Sequence, residues 1–284
     1  MLRAHHSRSP RRPRHAWLYA LPQASLPHSV TCNGQRFEHV ATFKHDFFAA
    51  TGLYRGRDGL AVLKLGRQHE VLSLPGAWIG ELLTRREVRI YTLLQDLPGI
   101  PRLIGTVGRN GFLHTFVPGH ALQRDARVSD TFFDELRTLL AGLHQRHLAY
   151  VDLNKRENIL LGQDGKPYLI DFQIALHLPP VGWRRLPPVR WLLRRFQDAD
   201  RYHYLKHKRR LRPDLLTADE SRELERMAIW IRLHRWLTRP LRDLRRRTLG
   251  RLARSETVAP AGVADGRPAG RCASAANRRA GRRA

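Results

Sequence analysis

Between residues 41 and 119, short runs of alternating hydrophobic and polar residues are separated by turn residues, a pattern typical of antiparallel strands. Gly59 marks one turn, and Arg-Asn-Gly at 109–111 marks another. The pattern predicts a small antiparallel sheet. The predicted strands are ATFKHDFFAA at 41–50, GLYRG at 52–56, GLAVLKLGR at 59–67, PRLIGTVG at 101–108 and GFLHTFVPG at 111–119.

Helical periodicity replaces this alternation in four segments. The first helix is predicted at 77–94, and the second starts near Ser129 or Asp130. Two more are predicted at 189–208 and 219–249. The predicted buried side of the first helix consists of Trp78, Leu82, Val88, Tyr91 and Leu94, and that of the second of Phe132, Phe133, Leu136, Leu139, Leu140 and Leu143.

The order of these elements predicts an α+β fold. A β-rich part, one helix, a strand pair and then an α-rich part is the order of a two-lobed protein with its site in a cleft. Both ends lack hydrophobic periodicity and are predicted to be disordered. The predicted divisions are a basic arm at 1–35, a β-rich N-lobe at about 36–117, a mainly helical C-lobe at about 118–252 and an Ala/Arg/Gly tail at 253–284.

Charge adds information about partners. Lys and Arg number 51 against 25 Asp and Glu, which gives a formal net charge of +26. A surface this basic attracts polyanions, so nucleic acid, anionic lipid and phosphorylated glycan are the partner classes that it favours.

Cysteine usage and the shortness of the apolar runs predict a cytoplasmic protein. Cys32 and Cys272 lie in segments predicted to be disordered, which excludes a disulfide framework or a cysteine metal site and fits a reducing compartment. The apolar stretch at 16–21 is too short for an export signal, and no window reaches the roughly eighteen apolar residues of a membrane span. Contact with the inner face of an anionic membrane would then be peripheral.

Lys64 and Glu87 are the first residues that indicate phosphoryl-transfer chemistry. Such a reaction needs a cation on the nucleotide phosphates, oxygen ligands for a divalent metal and a carboxylate that orients the attacking hydroxyl. Lys64 lies in the predicted strand, and Glu87 lies 23 positions later in the following helix. An ion pair between them would hold the lysine on the phosphates. The alternative is an edge-strand lysine and an unrelated surface carboxylate.

Asp152, Asn158 and Asp171 form a second, more specific group in VDLNKRENILLGQDGKPYLIDF at 151–172. Asn158 immediately precedes the strand-like ILL, and Asp171 follows the strand-like YLI. An antiparallel strand pair brings the start of one strand to the end of its partner, so these oxygen-bearing side chains are predicted to meet and to share a metal. The alternative is that Asp152 and Asn158 form turns and Asp171 caps a strand end.

These motifs resemble those of the protein-kinase superfamily, in a small bacterial branch similar to RIO-type and lipopolysaccharide (Kdo/heptose) kinases. The resemblance covers about 43–175, roughly half of the chain. It implies a bilobed protein-kinase-like fold that binds ATP and Mg²⁺. The roles that it implies are Lys64 on the nucleotide phosphates with Glu87 as its helical partner, the backbone of Thr115, Phe116 and Val117 against adenine, Asp152 as catalytic base, Lys155 near the γ-phosphate, and Asn158 and Asp171 as metal ligands.

The sequence also departs from the family pattern. Asn158 follows Asp152 by six positions, one more than is usual, whereas Asn158 and Asp171 keep the usual thirteen. Gln173 stands where the family has glycine, and HDFFAATG contains a single glycine, Gly52, in place of a glycine-rich loop. The longer loop predicts that the acceptor side of the site differs from that of familiar protein kinases.

A basic segment at 181–213 interleaves aromatic residues with arginines and lysines. One interpretation is that it lies on anionic lipid, with Trp183 and Trp191 at the headgroup level. The other is that Trp191, Leu192 and Phe196 pack in the helical lobe while the arginines face solvent. The sequence leaves both open.

Three classes of function follow from the sequence. The leading hypothesis is an ATP-dependent kinase for protein serine or threonine, with a sugar hydroxyl of a lipopolysaccharide core or another glycolipid as the alternative acceptor. The second class is a pseudokinase scaffold without activity. The third is a polyanion-binding protein whose Arg-rich ends bind nucleic acid.

Overall fold

An antiparallel sheet lies in the first half of the chain, as the hydrophobic alternation predicts, but it has six strands where the pattern predicts five. This computed structural model describes residues 20–21, 25–45, 49–68 and 76–227, all within one compact unit, Met1–Ile231. The strands are β1 (Ser29–Cys32), β2 (Gln35–His45), β3 (Ala49–Gly56), β4 (Gly59–Gly66), β5 (Leu103–Val107) and β6 (Gly111–Thr115). Their order across the sheet is β1-β2-β3-β4-β6-β5.

Parts of three predictions lie outside the described residues. They are the basic arm up to residue 19, the continuation of the last helix beyond residue 227, and the tail at 253–284 with Cys272. Residues 218–227 are helical, in agreement with the start of that last helix. None of the described helices is long and apolar enough to cross a membrane.

The sheet begins earlier than the sequence analysis predicts, because β1 lies inside the range assigned to a disordered arm. Asn33 and Gly34 connect β1 to β2 with φ angles of 50° and 78°, which suits the twist of a two-residue hairpin. The Asn33 side chain also donates to the carbonyl of Ile104 at 2.8 Å. Cys32 is buried in β1, so the expectation that it lies in a disordered segment is wrong.

Helix α1 confirms the first predicted helix and the C-terminal part of its predicted buried side, but not the N-terminal part. The helix spans Gly76–Leu94. Trp78 and Leu82 are 56% and 57% exposed, whereas Glu87 is only 2% exposed. A Cβ on Gly80 would lie 2.1 Å from a backbone oxygen just after β4. Close approach to the strand therefore decides which side of α1 is buried, and it selects a glycine and a charged residue over two large apolar side chains.

The second half of the described chain is mainly helical. Helix α2 buries all six apolar side chains that the periodicity assigns to it, and α3 contains the predicted helix at 189–208. Three short strands form a sheet in the order β10-β9-β7, and β8 pairs with β11. These elements are α2 (Phe132–Gln145), α3 (Pro187–Leu211), β7 (Gly119–Ala121), β8 (Leu148–Ala149), β9 (Ile159–Gly162), β10 (Pro167–Leu169) and β11 (Leu176–His177).

Buried apolar side chains form two clusters. One lies within the large sheet and includes Leu63. The other joins α1, α2 and α3 through Tyr91, Leu136 and Leu205. Leu153, in the loop between β8 and β9, belongs to this second cluster. The loop that carries the predicted catalytic residues is therefore anchored in the core.

The start of α3 is exposed, whereas its later part is packed. Trp191 and Leu192 are 61% and 43% exposed, so the interpretation in which they pack in the helical lobe is wrong. Phe196 is half-buried and Tyr204 is buried. The aromatic residues of α3 thus divide between a solvent-facing end and a core-facing end.

Candidate functional site

Three of the predicted site residues meet at one point. Lys64 Nζ, on β4, lies 2.8 Å from Glu87 Oε1 on α1 and 2.7 Å from Asp171 Oδ1. Glu87 Oε1 also accepts a hydrogen bond from the backbone N–H of Phe172 at 3.1 Å. One ammonium group is therefore held between two carboxylates that come from distant parts of the chain.

Burial and charge act in opposite directions on the pKa values of this group. Burial lowers the pKa of Lys64, but the charges of Glu87 and Asp171 raise it by more. Burial raises the pKa of Asp171, but the ammonium groups of Lys64 and Lys155 lower it by more. Burial also raises the pKa of Glu87, and the Lys64 ammonium opposes that effect. Lys64 and Asp171 are thus both charged at neutral pH.

The predicted catalytic loop, at 150–158, brings its three predicted site residues together. Asp152 Oδ2 lies 2.7 Å from Lys155 Nζ and accepts a hydrogen bond from Asn158 Nδ2 at 2.9 Å. The loop backbone turns twice, because the N–H of Lys155 donates to the carbonyl of Asp152 at 3.1 Å and the N–H of Asn158 donates to that of Lys155 at 3.2 Å. The side chains of Lys155 and Asn158 therefore both reach the Asp152 carboxylate, although Lys155 itself is extended and the 3₁₀ helix covers only Arg156–Asn158.

The β9–β10 pair places Asn158 and Asp171 at the same end of the two strands. Ile159 at the start of β9 lies opposite Leu169 at the end of β10. One position farther, the N–H of Ile170 donates to the carbonyl of Asn158 at 3.1 Å. The structure thus has the loop–strand–turn–strand geometry that the sequence predicts. Asp171 itself has a φ of 62°, a left-handed conformation that the surrounding contacts hold.

Buried Asp200 on α3 supports the catalytic loop, and the sequence analysis missed it. Its carboxylate accepts hydrogen bonds from the backbone N–H groups of Tyr150 and Val151, both at 2.7 Å. It also lies 3.2 Å from Nε2 of His144 on α2. Val151 is β-branched and has a φ of 72°, which is unfavourable for such a residue. The two backbone hydrogen bonds hold that conformation immediately before Asp152.

The segment predicted to face adenine begins at Thr115, the last residue of β6. The N–H groups of Thr115 and Phe116 donate to the carbonyls of Arg102 and Leu60, at 2.9 and 3.1 Å. The N–H of Val117 has no hydrogen bond within the described part of the chain. Of the three predicted residues, Val117 therefore has the free backbone donor.

This segment does not contact the charged group around Lys64. Lys64 pairs with Phe112 across β4 and β6, and Thr115 lies three positions farther along β6. At about 3.4 Å per residue, the predicted adenine and phosphate contacts are about 10 Å apart along the strand.

His114 packs behind the predicted adenine segment. Its ring stacks on that of Tyr91 with the centroids 5.4 Å apart, and its Nδ1 lies 2.9 Å from the carbonyl oxygen of Thr115. Burial lowers the pKa of His114 to about 4. The ring is therefore neutral near pH 7, and its Nδ1–H donates to the Thr115 carbonyl.

The side-chain oxygens of Asn158 and Asp171 are suitable ligands for a magnesium ion that also binds phosphate. In nucleotide sites Mg²⁺ takes one or two protein oxygens and completes its shell with water and phosphate oxygens. Asn158 uses Nδ2 for Asp152, and its Oδ1 has no hydrogen bond to any described residue. Asp171 offers a second carboxylate oxygen, Oδ2. No group of three or more His, Cys, Asp or Glu side chains in the described ranges forms a metal site of its own, so this ion would need the phosphate oxygens.

Comparison with known proteins gives no family assignment. No protein-family model matches the chain, and no curated protein sequence matches it. Solved structures do match, and one of them is the Rio2 kinase from Chaetomium thermophilum, which is 14% identical with a TM-score of 0.46. That similarity covers 69% of this chain and 74% of the kinase chain. The case for a function therefore rests on the geometry of the chain's own side chains.

Proposed function

We propose that the chain is an ATP-dependent phosphotransferase with a bilobed protein-kinase-like fold. The observation that carries the proposal is the Lys64 ammonium held between Glu87 and Asp171. Lys155, which pairs with Asp152, also lowers the pKa of Asp171, so the two groups of charges act on one another. The two hydrophobic clusters, one in the sheet and one among the helices, support the bilobed arrangement.

In this proposal Lys64 binds the nucleotide phosphates. A buried ammonium that two carboxylates already orient needs little reorganisation when a phosphate arrives, and this favours tight positioning. Glu87 keeps the lysine in place from α1. The backbone of Thr115, Phe116 and Val117 binds adenine, with the free N–H of Val117 as the donor.

Asp152 is the catalytic base. Lys155 and Asn158 both contact its Oδ2, and its Oδ1 has no hydrogen bond in the described part of the chain. Oδ1 can therefore accept the proton of an acceptor hydroxyl. The acceptor oxygen bonds to the γ-phosphorus while the bond from that phosphorus to the ADP oxygen breaks, and Lys155 offsets the charge on the γ-phosphate.

Asn158 Oδ1 and Asp171 Oδ2 would hold Mg²⁺. When bound, the ion neutralises charge on the β- and γ-phosphates. The chain's own part is to fix the two oxygens. The β9–β10 pair aligns them, and the hydrogen bond from Phe172 to Glu87 holds the backbone next to Asp171.

Two acceptor classes are consistent with a base that is directed at a hydroxyl. They are protein serine or threonine, and a sugar hydroxyl of a lipopolysaccharide core or another glycolipid. A specific observation favours an acceptor at a membrane, because Trp183 and Trp191 are exposed beside a series of arginines. A cytoplasmic enzyme that contacts the inner face of an anionic membrane is the corresponding location.

A pseudokinase scaffold and a polyanion-binding protein are the rival functions. Both predict no ATP turnover. The polyanion binder also predicts binding to nucleic acid that weakens steeply as salt rises. The retained lysine, glutamate, base and two metal-ligand candidates support an active enzyme over either rival.

Magnesium-dependent transfer from γ-labelled ATP tests the proposal. The label is followed into the protein and lipid fractions of a lysate, and nucleotide affinity is measured separately. We expect Asp152→Asn to lower turnover by about a hundredfold or more while nucleotide affinity is retained. We expect Asp171→Asn to lower turnover at least as much and to remove its dependence on magnesium.

Asp58→Asn is the matched control, because it changes an exposed carboxylate in the turn between β3 and β4 that makes no side-chain contact with a described residue. Its turnover should equal that of the unaltered chain. Nucleotide binding without turnover in the unaltered chain would favour the pseudokinase. Undiminished turnover in Asp171→Asn would overturn the assignment of the metal ligand.

A further inference from the structure

A basic cavity of about 580 Å³ opens beside the catalytic loop. Its walls come from the segment after β7, the loop itself and the end of α3. Five cationic side chains face a single carboxylate, in a volume that suits a small ligand. The charged residues that line it are Arg124, Lys155, Arg156, Glu157, Lys206 and Arg210.

Three guanidinium groups in this cavity form no ion pair with a described carboxylate. Arg124, Arg156 and Arg210 make no ion pair with any described residue. Burial lowers the pKa of Arg156, and the neighbouring guanidinium groups of Arg124 and Arg210 lower it further. Like charges that are held together repel, so an anion bound among them would be stabilised.

Basic residues continue from this cavity into a second one, but most of the arginines of the two cavities that form no ion pair with a described residue lie in the first. A second cavity of about 330 Å³ shares Arg124 and Arg210 with the first. Its own Arg212 is neutralised, because its guanidinium lies 2.7 Å from the carboxylates of both Asp130 and Asp214. Of the four cavity arginines that make no ion pair with a described residue, three line the cavity beside the catalytic loop, and the fourth, Arg127, lines only the second cavity.

This cavity adjoins the proposed base. Lys155 lines the cavity and lies 2.7 Å from Asp152 Oδ2. His207 also lines it and contacts the loop, because its Nε2 lies 2.8 Å from the carbonyl oxygen of Leu153. Asp152 does not itself line the cavity, so the hydroxyl of a ligand bound there has to extend past the Lys155 side chain to reach it.

We propose that this cavity is the acceptor site and that it takes a small phosphorylated polyol or sugar, with a phosphate ester against the arginines and a hydroxyl toward Asp152. This inference rests on the proposed function and adds the substrate class. Guanidinium groups bind phosphate oxygens through paired hydrogen bonds, which orients the ligand as well as attracting it. Among the described residues that line the cavity, Ala121 and Leu122 alone are apolar, which favours a sugar or polyol over a peptide with apolar side chains.

The phosphate ester of the acceptor stays intact in this reaction. The acceptor hydroxyl gives its proton to Asp152 Oδ1, its oxygen bonds to the γ-phosphorus, and the electron pair of the broken bond leaves with ADP. The product carries one more phosphate than the acceptor. The arginines bind the phosphate that is already present and thereby position the hydroxyl.

Direct binding tests the site without relying on turnover. The probe is inositol 1,4-bisphosphate, titrated into the full chain in the presence of a saturating ATP analogue that cannot be hydrolysed. Uncharged inositol, a phosphoserine peptide and vesicles with phosphatidylinositol 4-phosphate are titrated in parallel.

The double variant Arg124→Gln/Arg210→Gln removes two of the unpaired charges. Arg190→Gln/Arg194→Gln, the matched control, removes two exposed charges from α3 outside the cavity.

We expect the cavity variant to bind the bisphosphate at least about tenfold more weakly, while the control variant and the affinity for the ATP analogue are unchanged. Equal affinity in the cavity variant and the control would overturn the site. Tighter binding of the phosphoserine peptide than of the bisphosphate would overturn the substrate class. Preference for the vesicles over the free bisphosphate would identify a lipid-linked acceptor of the same chemistry. Failure of the analogue to bind, with the bisphosphate still bound, would refute the proposed function and not the site.

Discussion

At the scale of single residues, His114 links the fold of the sheet to the predicted nucleotide site. It lies on β6 between the buried ring of Tyr91 and the backbone of Thr115. Desolvation of the ring is the main cause of its lowered pKa, and the nearby Lys64 ammonium acts in the same direction. A protonated ring at this position would lack water and would face a buried cation. The folded state therefore selects the neutral form.

This selection predicts a loss of stability in acid. The pKa of His114 is about 4 in the folded chain and about 6.5 in the unfolded chain, so between these values the unfolded chain binds a proton that the folded chain does not. Stability that is present above pH 6.5 is therefore lost as the pH falls toward 4. Between pH 7 and pH 4.5 the contribution of this residue is about 2 kcal/mol.

Urea unfolding of the unaltered chain and of His114→Gln at both pH values measures this contribution. We expect the unaltered chain to lose about 2 kcal/mol more than the variant over this interval, because the amide does not titrate. Other groups titrate in both proteins and cancel in the difference. The same loss in both would show that His114 is not held neutral.

At the scale of elements, the catalytic loop is shaped by α3 as much as by its own sequence. Asp200 and His207, one side of α3, bind the loop backbone at Val151 and Leu153. These contacts precede and follow Asp152, so the helix fixes the loop at both sides of the proposed base. The two turns of the loop, from Asp152 to Lys155 and from Lys155 to Asn158, extend beyond these fixed points.

The antiparallel sheet, the helices and the β9–β10 pair follow from local patterns, and the sequence predicts them, but it misses β1 and predicts one strand at 41–50, where the structure has the end of β2 and the start of β3. Asp200 was missed because its role depends on a contact about fifty residues away in the chain. Its position four residues after Phe196 and four before Tyr204 was the available signal, since it places a carboxylate on the inner side of a helix. The exposure of Trp78 was missed for a related reason, because contact with β4 and not apolarity decides the side of α1 that is buried.

Asp200→Asn tests the support that α3 gives to the loop. An amide can accept one of the two backbone hydrogen bonds but turns its NH₂ toward the other donor. We expect the free energy of unfolding to fall by about 2 kcal/mol and turnover to fall with it, because the conformation of Val151 is no longer held. Chemical denaturation and ADP release measure the two effects.

Asp198→Asn is the control on the same helix. It removes only an exposed ion pair with Arg195, so it should change the free energy of unfolding by less than about 1 kcal/mol.

At the scale of the whole molecule, exposed apolar surface and positive charge coincide on one segment. Half of the large hydrophobic residues that are exposed in the described chain lie between 181 and 192. They are Val181, Trp183, Leu186, Trp191 and Leu192, here called the aromatic patch. Three arginines lie among them at positions 184, 185 and 190, and two more follow at 194 and 195. Apolar side chains flanked by cations match the two layers of an anionic lipid surface, with acyl chains below and phosphates above.

The aromatic patch and the basic cavity are at opposite ends of α3. Trp191 and Arg210 are nineteen residues apart, which corresponds to about 28 Å along the helix axis. Sites this far apart with no shared partners have independent effects when they are changed. Loss of the patch should therefore leave binding of a soluble phosphorylated probe unchanged, and loss of the cavity arginines should leave the patch intact.

Vesicle sedimentation tests the aromatic patch as a membrane-contact surface. We expect the chain to bind vesicles that contain phosphatidylserine and not vesicles of phosphatidylcholine alone, with binding that weakens as salt rises. The variant Trp183→Ser/Trp191→Ser removes two large apolar side chains from the contact, so its affinity should fall about tenfold or more. Trp78→Ser removes an indole that is similarly exposed on α1 and should bind as the unaltered chain does. If the double variant and Trp78→Ser bind anionic vesicles equally well, the net charge of +26 alone accounts for the attraction and the patch has no part in it.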